Sequence, residues 1–137
     1  VPEVPVNERE GYYEPRVLLR CEIDVGRPIA VYTSHFGLSA AEQKNATSLV
    51  LSALAPETLP TVFMGDLNMT PDNPLIGQIA ARLRDTAAEK SFLTHHALHP
   101  EVKIDYVFCS PEFTVIDACA PFTTASDHFP HIADVEF

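Results

Sequence analysis

The segment Val62-Phe-Met-Gly-Asp-Leu-Asn-Met-Thr-Pro71 sets a carboxylate, Asp66, and a carboxamide, Asn68, two residues apart at the end of an apolar run. Side chains at i and i+2 leave the same face of a strand, so both are expected to point from a strand tip into the space above it. Three more polar clusters accompany this one: Thr33-Ser-His-Phe36, Lys103-Ile-Asp-Tyr-Val-Phe108 and Ala125-Ser-Asp-His-Phe-Pro-His131. Four apolar stretches each deliver an Asp, Asn or His at or near an end, which is the usual build of a metal-dependent hydrolase. Each cluster alone also has a plainer reading. Asp66 and Asn68 suit a turn before Pro71, Asp127-His128 could cap a loop, and His35 could be an ordinary strand-end histidine. Asp105 in mid-strand resists such a reading, because an unpaired buried carboxylate is costly. All four plain readings holding at once would need four coincidences.

These residues need strands and helices to position them. Arg16–Asp24 and Pro28–Ser34 read as strands joined by a hairpin turn at Val25-Gly26-Arg27. Ser39-Ala-Ala-Glu42 is a capping box, and Ala46, Leu49, Val50, Ala53 and Leu54 follow with helical spacing. Pro60–Leu67 is a strand. Asn73-Pro74 is a cap with proline at the first helical position, and Leu75, Ile76, Ile79, Ala80 and Leu83 form the second apolar stripe. Strands at Ile104–Ser110, Phe113–Ala118 and Ile132–Phe137 complete the order β-β-α-β-α-β-β-β. The fold class is α/β (α+β), a mixed β-sheet with its helices on one face. Its strands are apolar on both parities, which implies that both faces are covered. Two helices cover only one. Residues 1–15, with three prolines and five acidic or amide side chains, read as an extended segment, and residues 16–137 as the folded unit.

At 137 residues and 46% hydrophobic, the chain suits one domain with a real core rather than a disordered one. It begins at Val1 rather than Met and reads as a piece of a longer chain. No apolar run approaches the length of a membrane span. Nineteen acids against nine bases give a net charge of −10, and the nine cations are scattered. A grip on duplex nucleic acid calls for clustered Lys and Arg, so duplex binding is disfavoured and a small substrate held through a divalent cation fits better. Cys21, Cys109 and Cys119 all fall in strand-like segments and read as buried free thiols, with a reducing, cytoplasmic setting. His95, His96 and His99 invite a zinc reading, but no Cys or fourth ligand stands near in sequence, and a polar loop is the reading preferred. Tyr12, Tyr13 and Arg16 could line a cleft or belong to the core. His131 reads as structural.

TSHFGL at 33–38, GDLNMTP at 65–71, KIDYVF at 103–108 and ASDHFPH at 125–131, in that order, resemble the C-terminal half of the endonuclease/exonuclease/phosphatase (deoxyribonuclease-I-like) superfamily. The resemblance runs from Arg16 to Phe137. It implies half of a four-layer α/β sandwich, whose second sheet would come from an N-terminal half or from a homodimer through the exposed sheet face. It also implies a phosphodiesterase or phosphatase acting on a small or lipid-derived phosphate ester with Mg2+ or Mn2+, or alternatively a nuclease or a non-catalytic half-domain. The short connections at 37–40 and 71–73 leave little room for the basic or aromatic loops that many nucleases of the superfamily insert. By resemblance His128 is the central catalytic histidine, Asp105 orients it, and Asp127 is a metal ligand. Asp66 and Asn68 position water or metal and meet the phosphate, while His35 contacts the phosphate. His96 contacts substrate, with His95 standing where an aromatic is more usual. The superfamily's metal-binding Glu has no match in residues 1–30, and Glu3, Glu8, Glu10 and Glu14 are not put in its place.

Overall fold

The computed structural model describes residues 15–137, so the extended reading of residues 1–15, apart from Pro15, and the roles weighed for Tyr12 and Tyr13 lie outside the described residues. β1 (Leu18–Asp24) and β2 (Pro28–Ser34) form the expected hairpin, with Leu18 opposite Ser34 and Asp24 opposite Pro28. The turn needs a residue at φ 95°, which Gly26 supplies, and the Gly26 N–H donates to the Asp24 carboxylate.

α1 (Ala40–Leu54) starts at the Ser39 capping box. Ser39 Oγ accepts from the Glu42 N–H, and the Glu42 carboxylate accepts from the Ser39 N–H. α1 leads into β3 (Thr61–Asp66), parallel to β2. α2 (Pro74–Ala80) follows, capped by Asn73 with proline in its first turn. β4 (Arg84–Asp85), β5 (Asp105–Cys109), β6 (Thr114–Cys119) and β7 (Ile132–Glu136) complete the chain. The main sheet runs β1-β2-β3-β5-β4, and β6-β7 stand apart as a second, two-stranded sheet.

The two faces of the main sheet differ. On one, Ala30, Tyr32, Phe63, Tyr106 and Phe108 pack under Val50 and Leu54 of α1 and Ile76 and Ile79 of α2. On the other, Ile29, Val31, Val62, Met64, Val107 and Cys109 meet Phe113, Val115 and Val135. β6 and β7 therefore turn back over the face the helices leave bare. The expectation that this chain supplies one sheet and one helical layer needs correcting, because it also begins the second sheet. Cover stops short of β1. Leu19, Cys21 and Ile23 pair with Thr33, Val31 and Ile29 and so share the second face. Leu19 and Ile23 nonetheless stay 57% and 42% exposed.

Three smaller expectations fail for local reasons. Cys21 and Cys119 are exposed and only Cys109 is buried, because strand membership does not say which face is covered. The second helix ends at Ala80, and Leu83 reaches the same core from beyond it, while Ala80 is exposed. β4 has two residues, too few to show a period. No helix among the described residues is long and apolar enough to cross a membrane.

At the β1 edge of the helical face, Glu57 accepts from Arg20 Nε at 2.8 Å and from the Tyr32 hydroxyl at 2.7 Å. The Arg20 guanidinium, together with Tyr32 and the amides of Leu59 and Thr58, outweighs burial and holds the Glu57 carboxyl down to about 2. A depressed folded-state value stabilises the fold above the unfolded value of 4.5, and that contribution is lost as pH falls toward 2. Glu57→Gln should therefore be less stable than the parent at neutral pH in urea denaturation. The gap should close between pH 4.5 and 2; a gap that stays constant across that window would refute the assignment.

Candidate active site

Antiparallel pairing of β3 with β5 sets Asp66 directly opposite Asp105 at the end of the sheet. Residues opposite one another in such a ladder project to the same side, so two carboxylates share one small space. Close strand packing sets this register. Gly65 stands at φ 152°, and a Cβ there would come within 1.9 Å of the Ser34 carbonyl oxygen of β2, so only glycine fits.

Four contacts fix the start of β5. The buried Thr94 hydroxyl accepts from the amides of Ile104 and Asp105 at 3.1 and 3.2 Å. The Tyr106 hydroxyl donates to the Met69 carbonyl at 2.8 Å, tying β5 to the loop after β3. His131 joins the Asp105 carbonyl at 3.1 Å to the Thr86 hydroxyl at 3.2 Å, which gives it a bracing role. Lys103, buried at 6% exposure, donates to Asp85 at 2.9 Å and lies 3.5 Å over the Tyr106 ring.

On this platform Asp105 Oδ2 stands 2.8 Å from His128 Nδ1. A carboxylate on one ring nitrogen fixes the tautomer and orients the other nitrogen outward. His128 Nε2 lies 3.9 Å from Asp66 Oδ2, and His35 Nε2 lies 3.4 Å from the same oxygen. Arg16 Nη1 is 3.1 Å from His35 Nδ1, which places Arg16 at the rim of the site rather than in the core. Burial lowers the His128 pKa, but the Asp105 hydrogen bond and the charges of Asp105, Asp66 and Asp127 outweigh it, and the net direction is up. Burial, with the facing Asp105 charge, pushes Asp66 up despite its bond from the Asn68 N–H and the nearby imidazoles.

Asn68 does not stand beside Asp66 as strand alternation predicts. β3 ends at Asp66, the Asp66 carboxylate accepts from the Asn68 N–H at 2.8 Å, and Asn68 turns to φ 51°. Its carboxamide donates to the Phe36 carbonyl at 2.9 Å, and Gln43 holds its own carbonyl at 2.9 Å. Asn68 thus links the loop after β2 to the loop after β3, so the turn-forming alternative describes its backbone. The structure gathers Asp66, Asp105 and His128 into one group of potential ligand atoms, all within 4.8 Å of one another. Asp127 falls in a second group with His95 and His128. His96 stands beside His95, their ring centroids 5.3 Å apart. Sequence reasoning carried no signal for the Thr94 hydroxyl bracing Ile104 and Asp105, nor for the pairing of His95 with His128.

A hard divalent cation fits the first group. Asp66 and Asp105 face one another as like charges, and oxygen donors suit Mg2+ or Mn2+. Burial first, and the Asp105 charge after it, raise the Asp66 pKa, and a cation between the carboxylates would relieve the second.

Two measurements test this geometry. Asp85→Ala leaves the Lys103 ammonium buried without its partner and should destabilise the fold by about 3–5 kcal/mol in denaturant unfolding. A loss under 1 kcal/mol would show that the pair is dispensable. In the chelated protein, NMR titration should place the His128 pKa above that of an ordinary histidine, and Asp105→Asn should lower it; an unchanged value in the variant would contradict the pairing.

Residues 3–128 match the model of the Endonuclease/Exonuclease/phosphatase family. No curated protein matches the chain at a significant level. Among solved structures, an endonuclease/exonuclease/phosphatase from Beutenbergia cavernae is 26% identical with a TM-score of 0.72, over 88% of this chain and 39% of that one. A mannosyl-6-phosphatase from Bacteroides thetaiotaomicron is 19% identical with a TM-score of 0.62, over 83% of this chain and 53% of that one. TDP2 from D. rerio, complexed with a single-strand DNA product, is 18% identical with a TM-score of 0.65, over 89% and 62%. The chain thus spans between 39% and 62% of the length of these relatives. With the family model matched over nearly its whole length, the chain belongs to the Endonuclease/Exonuclease/phosphatase family.

Proposed function

We propose that the protein containing this chain hydrolyses phosphate esters with Mg2+ or Mn2+, and that its substrate is a small or lipid-derived ester rather than duplex nucleic acid. The Asp105–His128 pair, held 2.8 Å apart and facing Asp66 across the sheet tip, carries the reading. Ester hydrolysis needs a proton acceptor for the attacking water and charge relief on the phosphoryl oxygens. Asp66, pushed up by burial, orients the water and accepts its proton. His128, biased toward imidazolium by Asp105, donates a hydrogen bond to a phosphoryl oxygen. His35, beside Asp66, contacts the phosphate, the Asn68 carboxamide orders the loop under Asp66 through the Phe36 carbonyl, and His96, beside His95, contacts the substrate. Asp66 and its neighbours, with Asp127 as a further ligand, would hold a cation, which would supply charge relief and lower the pKa of bound water.

The net charge of −10 and scattered cations favour a small ester. One structural neighbour is a mannosyl-6-phosphatase, and another holds single-strand DNA product, so a nuclease is the runner-up. A second reading concerns this chain by itself. Leu19, Cys21 and Ile23 leave the sheet's second face open beyond β6 and β7, which favours a half-domain completed by an N-terminal half or by a second copy.

Turnover of p-nitrophenyl phosphate and bis-p-nitrophenyl phosphate, with Mg2+, Mn2+ or chelator, tests the proposal in the full-length protein. Activity should vanish with chelator and fall about 10²–10⁴-fold in His128→Ala. Equal turnover in the variant, or turnover indifferent to chelator, would remove the assignment. Turnover in the full-length protein but none in residues 1–137 would support the half-domain reading.

A further inference from the structure

The main chain of Asp105 stands at a gap in the sheet. Leu67 and Ile104 lie opposite each other, and the Leu67 N–H donates to the Ile104 carbonyl at 2.9 Å. Main-chain bonds alternate from pair to pair along an antiparallel ladder, so the neighbouring pair, Asp66 with Asp105, exchanges none. The N–H and carbonyl of Asp105 therefore point away from β3, toward the side of β5 on which β4 lies. β4 ends at Asp85, opposite Phe108, and stops short of them. The carboxylate that orders His128 thus hangs on a peptide to which β4 offers no partner.

Two side chains stand in for the ladder. The Thr94 hydroxyl accepts from the Asp105 N–H at 3.2 Å, and His131 Nδ1 lies 3.1 Å from the Asp105 carbonyl oxygen. A carbonyl can only accept, so Nδ1 carries the hydrogen. The His131 ring is itself held. Its Nε2 lies 3.2 Å from the Thr86 hydroxyl, and the Phe92 ring stands nearly perpendicular to it with centroids 4.9 Å apart. His128 and His131 belong to one short segment. His128 Nδ1 meets the Asp105 carboxylate at 2.8 Å while His131 meets the carbonyl of the same residue. Asp105 is thereby clamped at side chain and main chain together, and a shift at one contact turns the other. We infer that His131 is a positioning residue for the hydrolysis, its Nδ1–H fixing the Asp105 peptide in place of a strand and so the aim of the Asp105–His128 pair. This deepens the hydrolytic reading and rests on it for the consequence for turnover. The sequence withheld the role because His131 acts on a main-chain atom far along the chain, which no motif records.

Three variants of the full-length protein separate positioning from simple support of the fold. His131→Asn keeps an amide N–H where Nδ1 stands, His131→Gln carries its donor out toward the Thr86 side, and His131→Leu has neither. His131→Leu should lower kcat on the preferred nitrophenyl ester by about 10–100-fold with KM little changed. It should also shift the imidazole nitrogen resonances of His128 in the NMR spectrum. His131→Asn should restore both, and His131→Gln neither. A residue that only supports the fold would lower the melting temperature and leave kcat and those resonances where they are. Unchanged kcat and His128 resonances in folded His131→Leu would overturn the inference, and so would recovery by Gln equal to that by Asn. A parent protein without turnover would remove the hydrolytic reading, and the His128 resonances of the same variants would then decide the positioning role.

Discussion

Asp66 faces Asp105 across an antiparallel ladder, and the rest of the site follows from that pairing. Two carboxylates at the end of a sheet repel, and burial raises the cost of holding both ionised. The structure answers with positive or hydrogen-bonding groups on every side. His128 takes Asp105, His35 leans on Asp66, and the Asn68 N–H closes the remaining Asp66 oxygen. Behind them, the buried Lys103–Asp85 pair and the Thr94 hydroxyl hold the β5 backbone in register. Without that register the acidic pair would swing apart and the histidines would have nothing to order them.

The same register explains the distribution of apolar residues. Phe63, Tyr106 and Phe108 alternate with Val62, Met64 and Val107, so each face of β3 and β5 presents its own apolar row. Both rows must be buried. The helices bury the first, and β6 and β7 bury the half of the second that lies beneath β2, β3 and β5. β1, at the sheet edge, keeps its apolar row on that face open. The active-site loops sit at the seam between the two layers, where neither sheet alone could place both Asp105 and His128.

Much of this was legible in the amino-acid pattern because it is local. The capping box at Ser39, the Asn73-Pro74 helix start and the hairpin at Gly26 each depend on neighbours within a few residues. The Asp105–His128 pairing was accessible only through resemblance, since no spacing rule joins residues 23 apart. Asn68 defeated the alternation rule because β3 ends two residues before it, and a backbone at φ 51° turns the side chain toward Phe36. The separate seating of β6 and β7 was invisible because alternation records that a strand has a buried face and not which sheet it joins. Cys21 and Cys119 misled for the same reason.

Charge links the site to its substrate. Asp66, Asp105 and Asp127 gather around His128 in a chain whose net charge is −10, so the field there repels a phosphate. Arg16 and the histidines supply positive or donor groups around the rim, and the nine Lys and Arg are scattered along the sequence. On our reading, affinity must come from the metal and from contacts within reach of the reacting phosphate, which suits an ester whose recognition is short-range. Imidazoles matter doubly in such a place. They meet the phosphate as hydrogen-bond donors, and at His128 the ring also answers the Asp105 carboxylate.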